Sequence, residues 1–174
     1  MTIGVIWAQT PSGVIGSDGN MPWRVPEDMT YFREMTSGYP VIMGRRTWLS
    51  FPAKFRPLPD RTNIVLTSDS EWAATPEAAG SQAVSSLDEA LALARDAPGS
   101  EKIWVIGGGQ VYEQTLELAE VASITIIDSQ VAGDTFAPQL AGSWTLDRMD
   151  PASGWHQSTK GERYRFTIWR RQKS

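Results

Sequence analysis

Short apolar segments recur along the chain at intervals that are typical of strands alternating with helices. The first, TIGVIWA at residues 2–8, is a nearly continuous apolar run, as expected of a strand buried on both faces. Similar runs predict further strands: YPVIMG at 39–44, TNIVLTS at 62–68, QAVS at 82–85, KIWVIGGG at 102–109 and ASITIID at 122–128. Near the carboxyl end, WTLDRM at 144–149 and RYRFTIWRR at 163–171 are long enough to pair as an antiparallel edge.

Helical patterns occupy several of the segments between these runs. Pro26 suits the first position of a helix, and the pattern continues to about Gly38, which can end it. RRTWLSF, directly after Gly44, predicts a short helix. Ser86 and Glu89 form a capping box at the start of SLDEALALARDAPG, and QVYEQTLEL begins a further helix.

The alternation of strands and helices predicts an α/β fold. We expect a single domain over residues 1–174, with a mainly parallel central β-sheet, an antiparallel C-terminal edge and flanking helices. A Pro-rich loop at residues 52–61 and a weakly ordered connection at residues 69–80 interrupt the pattern. No internal repeat divides the sequence, and 174 residues are enough for one sizeable core.

Composition excludes several kinds of chemistry. The chain has no cysteine, and its one histidine, His156, lies in the predicted polar loop DPASGWHQSTKGER, so thiolate nucleophiles and sites built from several histidines are ruled out. We predict no metal site, and acid–base chemistry must use a carboxylate, Tyr or Lys. The formal net charge of −4 argues against nucleic acid or an anionic membrane as the main partner. No run approaches the roughly 20 apolar residues of a membrane span and no basic leader is present, so we expect a cytoplasmic protein.

Two adjacent carboxylates, Glu27 and Asp28, open the first predicted helix. At about 100° per residue, Asp28 lies at the centre of the apolar arc of this helix and Glu27 at its margin. The arc consists of Met29, Tyr31, Phe32 and Met35. Glu27 is therefore predicted to be a solvated first-turn acid, which the helix dipole favours. Asp28 has two interpretations: a helix-start acid satisfied by backbone N–H groups, or a pocket acid, with Trp23 as a wall, that binds a polar ligand and influences proton transfer.

Two strand-to-helix junctions have features of anion sites. At the first, Gly44 permits a tight turn, Arg45 and Arg46 carry positive charge, and Thr47 can donate near a helix start. At the second, IGGGQVY at residues 106–112, three glycines let the backbone approach a pyrophosphate closely. Neither has the spacing of a Rossmann or Walker motif, and either alone is consistent with an ordinary turn and cap. Together they suggest a dinucleotide across two adjacent crevices, and the paired arginines favour NADP over NAD.

These segments together resemble dihydrofolate reductase. MPWRVPEDMTYF, PVIMGRRTW, RPLPDR, NIVLTS, VIGGGQVY and GDT occur in the order and approximate spacing of that family, over residues 3 to about 138. IWAQ and GRRTW are similar to actinobacterial members. The resemblance implies reduction of 7,8-dihydrofolate to 5,6,7,8-tetrahydrofolate by NADPH, with hydride transfer to C6 and protonation at N5, in support of one-carbon metabolism. It also implies that antifolates bind, and we expect a monomer.

The resemblance implies a role for each matching residue. Asp28 matches the acid that binds the pteridine and promotes protonation at N5, and Thr125 matches the residue hydrogen-bonded to that acid. Met21 and Trp23 match the loop that closes over the nicotinamide. The implied catalytic residues are Asp28, Trp23, Met21 and Thr125. Arg61 matches the arginine that holds the α-carboxylate of the glutamate tail. The other implied substrate-binding residues are Ile6, Ala8, Met29, Phe32, Ser50, Phe51, Arg56, Leu58, Ile106 and Tyr112.

The implied NADPH site covers both glycine-containing junctions. Its residues are Ala8, Ile15, Gly16, Gly19, Gly44, Arg45, Arg46, Thr47, Leu66, Thr67, Ser68, Ile106, Gly107, Gly108, Gly109, Gln110, Val111 and Tyr112. Within it, Gly107–Gly108 matches a cis Gly–Gly peptide of the family.

The sequence departs from the family pattern near Arg56 and at Gln110. About three extra residues precede Arg56, so either Lys54 or Arg56 could reach the substrate tail. Gln110 stands where an arginine often helps to bind the cofactor, which leaves Arg45 and Arg46 more of that task.

Two other functions compete with the main one. A riboflavin-pathway pyrimidine reductase is one alternative, although it usually lacks the PWRVPEDM helix. A non-catalytic nucleotide-binding module is the other, although it has no need to bury an acid.

Overall fold

A computed structural model of the chain describes residues 1–17 and 21–172. In these two ranges eleven strands and four α-helices alternate, together with short 3-10 turns. The strands are β1 (Thr2–Gln9), β2 (Val14–Gly16), β3 (Val41–Gly44), β4 (Asn63–Leu66), β5 (Gln82–Val84), β6 (Lys102–Gly107), β7 (Val121–Asp128), β8 (Thr135–Phe136), β9 (Trp144–Asp150), β10 (His156–Gln157) and β11 (Arg163–Arg171). The helices are α1 (Pro26–Thr36), α2 (Arg45–Ser50), α3 (Leu87–Arg95) and α4 (Gly109–Thr115).

Most of the strands join one sheet whose order confirms the predicted fold class. From the β5 edge its strands run β5-β4-β3-β6-β1-β7-β11, and those from β5 to β7 are parallel. Strand β11 is antiparallel to β7, and β9 and β10 both pair antiparallel with β11. The expected C-terminal edge is therefore present, with β11 placed between β7 and the other two strands. A two-stranded ribbon of β2 and β8 lies apart from this sheet and was not predicted from sequence.

Two apolar cores cover the two faces of the sheet, because alternate side chains of a strand point to opposite faces. Val5 and Trp7 of β1 belong to the core under α3 and α4, whereas Ile6 belongs to the core under α1 and α2. Trp48 of α2 is fully buried in this second core. The continuous apolar runs in the sequence thus reflect strands that are covered on both sides.

Three local details differ from the sequence prediction. The residues 69–80, predicted to be weakly ordered, form two 3-10 turns, and Trp72 is buried in the second core. The predicted loop at 52–61 contains a 3-10 turn at Ala53–Phe55. His156 lies in β10, with its Nε2 atom 3.2 Å from Asp150, not in a loop. In each case a local contact orders a segment that has no clear apolar periodicity.

Helix α1 ends at Thr36, two residues before the predicted end. Gly38 follows with a φ of +87°, a left-handed conformation that favours glycine and commonly follows a helix end. Within the described ranges, no helix is both long enough and apolar enough to cross a lipid bilayer.

Candidate active site

The carboxyl ends of the parallel strands bring the two predicted parts of the site to one edge of the sheet. Ala8 of β1 lies opposite Thr125 of β7, and Gly44 of β3 lies opposite Leu66 of β4. Strand β6, between β1 and β3, ends at Gly107. The edge therefore carries a cavity beside α1 and, next to it, a cleft lined by glycines.

The cavity lies at the start of α1 and has a volume of about 260 Å³. Four residues predicted for the site, Met21, Trp23, Asp28 and Met29, line it. It is also lined by three residues that sequence reasoning did not single out: Arg24, Val25 and Pro26. Their position directly between Trp23 and Asp28 was the available signal.

Asp28 is hydrogen-bonded to a residue of the central sheet. The hydroxyl group of Thr125, on β7, donates a 2.6 Å hydrogen bond to Oδ1 of Asp28. Thr125 itself is buried. The carboxyl group is therefore held by a side chain from another element, and it faces the cavity. This geometry favours the pocket-acid interpretation over that of a helix-start acid bound by backbone N–H groups.

Burial raises the pKa of Asp28 from 3.8 to about 6, although the hydrogen bond from Thr125 acts in the opposite direction. The residue keeps partial exposure to the cavity, whereas its carboxyl group is desolvated by the surrounding protein atoms. Desolvation disfavours the charged form, so about one Asp28 group in ten is protonated at pH 7, far more than for an ordinary aspartate. An acid of this kind beside a cavity is a candidate for proton transfer.

The helix wheel is correct for most of α1, and Met29 is the exception. Met29 is 48% exposed and faces the cavity rather than a core. Tyr31 stacks on Phe166 of β11, with ring centroids 3.9 Å apart. Glu27 lies in the first turn and keeps exposure to solvent, as predicted, but its carboxylate is also bonded to a distant turn that the wheel could not show.

The other residues implied to bind substrate surround the same edge of the sheet. Ile6, Leu58, Ile106 and Tyr112 are buried, whereas Ala8, Phe32 and Phe51 are half-buried. The hydroxyl group of Tyr112 donates a 2.6 Å hydrogen bond to the carbonyl oxygen of Ile6 and so ties α4 to β1. Ser50 is exposed, and its hydroxyl group donates to the carbonyl oxygen of Thr47.

Arg61 is held in a defined orientation. Its Nε–H donates to the carbonyl oxygen of Pro59 and its Nη1 to the hydroxyl group of Thr36, both at 2.8 Å. Thr36, at the end of α1, is buried and donates in turn to the carbonyl oxygen of Phe32. Sequence reasoning identified Arg61 but not Thr36, because no local pattern joins the two.

Arg56 and Lys54 point to different surroundings. The guanidinium group of Arg56 lies 5.6 Å from the ring centroid of Trp48, and its buried Nη1 atom has no hydrogen-bond partner within the described ranges. The ammonium group of Lys54 lies over Phe55, which is exposed. Arg56 is thus the more enclosed of the two cations.

The second part of the site is a cleft between two glycine-containing turns. A Cβ atom on Gly44 would lie 4.0 Å from both the carbonyl oxygen of Gly107 and the amide nitrogen of Gly108. Gly107 has a φ of +140°, and a Cβ atom there would lie only 2.9 Å from the hydroxyl oxygen of Thr47. The Gly107–Gly108 peptide is cis, as the resemblance implies. The two junctions identified in the sequence are therefore direct neighbours.

Charged and polar groups extend this cleft towards β4. Arg45 lies 3.4 Å from Asp69 in an exposed ion pair, and Arg46 and Ser68 are exposed. The hydroxyl group of Thr67 accepts a hydrogen bond from the backbone N–H of Asp69. The remaining residues implied for the cofactor are placed as follows: Leu66 at the end of β4, Gly109, Gln110 and Val111 in α4, and Ile15 and Gly16 in β2. Gly19 lies outside the described residues.

Comparisons with known proteins show the family of the chain. The family model for dihydrofolate reductase matches residues 2–171. The chain belongs to the dihydrofolate reductase family. It is 44% identical over 172 residues to the dihydrofolate reductase of Mycobacterium tuberculosis strain H37Rv, covering 97% of this chain and 98% of the relative. The corresponding identity to the enzyme of Mycobacterium leprae strain TN is 42%, with the same coverage.

A solved structure extends the comparison to three dimensions. Dihydrofolate reductase from Enterococcus faecalis, in complex with NADP(H) and RAB-propyl, is 30% identical and superposes with a TM-score of 0.84. The match covers 99% of this chain and 97% of the solved one. Membership of the dihydrofolate reductase family confirms the sequence-based resemblance, and neither alternative function is supported.

Proposed function

We propose that the protein catalyses the NADPH-dependent reduction of 7,8-dihydrofolate to 5,6,7,8-tetrahydrofolate. In this reaction a hydride goes from C4 of the nicotinamide to C6 of the pterin, and a proton is added at N5. The observation that carries the proposal is the desolvated carboxyl group of Asp28, which faces the cavity and is held by Thr125. The family match supports the same activity.

In this proposal Asp28 binds the pteridine and promotes protonation at N5. A carboxyl group has two oxygens, and Thr125 occupies Oδ1, which leaves the second oxygen and the remaining lone pairs for the amino group and ring nitrogen of the pteridine. With a pKa of about 6, the group is mostly ionised at pH 7, and a minority of about one molecule in ten carries the proton. A pKa near the working pH suits general acid chemistry.

The glycine-lined cleft fits a dinucleotide. Because a side chain on Gly107 would collide with Thr47, glycine keeps the backbone of this turn open to a close approach by a pyrophosphate. In the proposal the turn at Gly107–Gly109 and the hydroxyl group of Thr47 hold the pyrophosphate, and Arg45 and Arg46 hold the adenosine phosphates. NADPH, when bound, supplies the hydride.

The remaining residues position the substrate and exclude water. Ile6, Ala8 and Ile106 form the strand side of the pocket, and Met29 and Phe32 form the helix side. Arg61, oriented by Thr36, would bind the α-carboxylate of the glutamate tail through a two-pronged contact. Met21 and Trp23 would cover the nicotinamide. Holding the two reacting carbons together in a dry cavity accounts for most of the catalytic task.

We further propose that residues 1–174 form a single domain that works as a monomer in the cytoplasm, with antifolates as inhibitors. The family match over residues 2–171 supports the single domain. The antifolate proposal rests on the family alone.

The deciding experiment measures NADPH oxidation with dihydrofolate across pH, in the parent and in Asp28→Asn. The proposal expects turnover by the parent and a large loss in the variant that eases at acid pH, where the substrate can take its proton from solvent. Thermal unfolding with and without NADPH should show stabilisation by the cofactor in both proteins. Binding of NADPH without turnover by the parent would contradict the catalytic proposal.

A further inference from the structure

Helix α1 is held by a second contact, next to the Asp28–Thr125 bond in the first turn. The hydroxyl group of Ser158 donates a 2.7 Å hydrogen bond to Oε1 of Glu27, and the backbone N–H of Thr159 donates a 3.1 Å bond to Oε2. Both carboxylate oxygens are therefore engaged by one turn that lies 131 residues further along the chain. Glu27 directly precedes Asp28, so both contacts act on the first turn of the helix.

The turn that receives Glu27 is itself ordered. Ser158 is only 4% exposed, and its backbone N–H donates to the carbonyl oxygen of Glu162 at 2.8 Å. Its hydroxyl oxygen accepts a bond from the N–H of Lys160, and its carbonyl oxygen accepts one from the N–H of Gly161. The hydroxyl group of Ser158 thus accepts one hydrogen bond while it donates another to Glu27. The turn between β10 and β11 therefore holds its two hydrogen-bond donors to Glu27 in place.

This hairpin is continuous with the strand beside the catalytic threonine. Strand β11 pairs along the length of β7, and Phe166 lies opposite Thr125. One turn further along α1, Tyr31 stacks on Phe166 and its hydroxyl oxygen lies 3.3 Å from that of Ser123 on β7. The turn that holds Glu27 and the threonine that holds Asp28 therefore belong to one rigid pair of strands.

The start of α1 has no side-chain cap. The N-cap residue is Val25, whose side chain has no atom that can accept a hydrogen bond from the helix. Val25 is buried and packs with Trp23 and Tyr164 in an apolar cluster, and Pro26 fixes its own φ but donates no hydrogen bond. Apolar packing therefore holds this end of the helix, and the side chains of Glu27 and Asp28 supply the hydrogen bonds that orient its first turn.

We propose that Glu27 and Ser158 form a positioning latch, which keeps the first turn of α1 in place so that the Asp28 carboxyl group stays bonded to Thr125 and shielded from water during hydride transfer. This inference rests on the proposed function. Neither Glu27 nor Ser158 touches the substrate in it, since both act through the helix. The latch accounts for an acid next to the catalytic acid without giving it a chemical step.

Several ionisable groups surround the latch. Asp28 and Tyr31 lie on the same helix, Tyr164 on β11, and Arg148 and Asp150 on β9. The hydrogen bond from Ser158 and then the N–H of Thr159 lower the pKa of Glu27 below its usual range. Glu27 therefore stays ionised over the range in which Asp28 titrates. A changed pH dependence of the hydride-transfer rate in variants of Glu27 or Ser158 would therefore reflect a changed pKa of Asp28.

The test compares Glu27→Ala, Ser158→Ala and the double variant with matched controls. Glu34→Ala removes an exposed carboxylate from the same helix, and Ser153→Ala removes an exposed hydroxyl group from the β9–β10 connection. The measurements are the single-turnover rate of hydride transfer across pH, the KM for dihydrofolate, and the urea midpoint. The single-turnover rate is used because product release can limit kcat.

The latch predicts a specific pattern. Each single variant should lose roughly threefold to thirtyfold in hydride-transfer rate, as expected when a distant change misplaces a catalytic group. KM for dihydrofolate should rise by a smaller factor than the rate falls, because Asp28 also binds the pteridine but the contacts to the rest of the substrate remain. The apparent pKa of the rate should fall towards that of a hydrated aspartate, because water would reach Asp28. The double variant should resemble the singles, because both remove one interaction.

Three outcomes would overturn the latch. Folded variants with the parent's rate and apparent pKa would show that Glu27 and Ser158 do not position Asp28. Losses that multiply in the double variant would show that the two residues act separately. A parent without turnover would overturn the proposed function and the latch together, whereas an active parent with unaffected variants would overturn the latch alone.

Discussion

The hydroxyl group of Thr125 donates a 2.6 Å hydrogen bond to the carboxyl group of Asp28, across 97 residues of sequence. Two opposing effects meet at this bond. Burial raises the pKa of Asp28 to about 6, and the donated bond limits that rise by stabilising the ionised form. The same contact therefore orients the acid and sets its protonation.

The first prediction concerns Thr125→Val, which removes the hydroxyl group at nearly constant volume. Without the donated bond the pKa of Asp28 should rise further, so the pH profile of hydride transfer should move to higher pH. The rate at its optimum should fall roughly tenfold, because the carboxyl group loses the contact that orients it. Single-turnover measurements over a range of pH would show both effects. Thr145→Val, on the exposed edge strand β9, should leave profile and rate unchanged, and an unshifted profile in Thr125→Val would contradict the interpretation.

The second prediction concerns the cost of Asp28 to stability. Its pKa is about 6 in the folded protein against 3.8 for an ordinary aspartate, so only well below pH 3.8 is the group protonated in both states and without cost. As pH rises from 4 to 6, the unfolded chain releases the proton while the folded one retains it, and the folded state loses stability. Above pH 6 the full cost, about 3 kcal/mol, is present.

Asp28→Asn should therefore be more stable than the parent by up to about 3 kcal/mol at pH 7.5, with the difference falling below about 1 kcal/mol at pH 4. Urea unfolding at the two pH values measures this directly. Asp88→Asn provides a matched control, since Asp88 is an exposed acid in the first turn of α3. A variant that is less stable than the parent at pH 7.5 would show that Asp28 is not the destabilising acid described here.

Most of the fold could be predicted from the sequence because its strands are covered on both faces. Such strands give uninterrupted apolar runs, and the helices between them carry recognisable starts and ends, such as the capping box in which the hydroxyl group of Ser86 accepts from the N–H of Glu89. The pairing of β11 with β7 could not be predicted, because periodicity reports which face of a strand is buried and not which neighbour it has. The three- and two-residue strands of the β2–β8 ribbon are too short to show any period.

The candidate site divides along the same line. The helix wheel placed Asp28 among apolar side chains, because its geometry is local. Thr125 was reached only through the family resemblance, since nothing in its own segment marks it as a partner of Asp28. The partners of Glu27 were missed for the same reason. A wheel shows which face of α1 is covered but not which distant turn covers it.

The third prediction concerns Arg61→Ala. Loss of this guanidinium group should weaken dihydrofolate binding by about tenfold to a hundredfold, the usual worth of a hydrogen bond to a charged group. It should not affect an antifolate that lacks the glutamate tail. Thr36→Val, which removes only the hydroxyl group that orients Arg61, should show a smaller loss in the same direction. Equilibrium titration of each variant with dihydrofolate and with the antifolate measures the two affinities. Equal losses of affinity for both ligands would show that Arg61 acts on the fold and not on the glutamate tail.

The fourth prediction concerns the choice of cofactor, and it depends on Arg45 and Arg46. The ion pair between Arg45 and Asp69 is exposed, so it contributes little and leaves the guanidinium group available to a phosphate. The double variant Arg45→Ser, Arg46→Ser should therefore bind NADPH roughly tenfold or more weakly while its affinity for NADH stays nearly the same, because only NADPH carries the 2′-phosphate. Fluorescence titration at low and high salt should show that the parent's preference for NADPH shrinks as salt increases. Asp69→Asn, which removes the competing carboxylate, should slightly increase the affinity for NADPH. An equal loss of affinity for NADPH and NADH in the double variant would place the 2′-phosphate elsewhere.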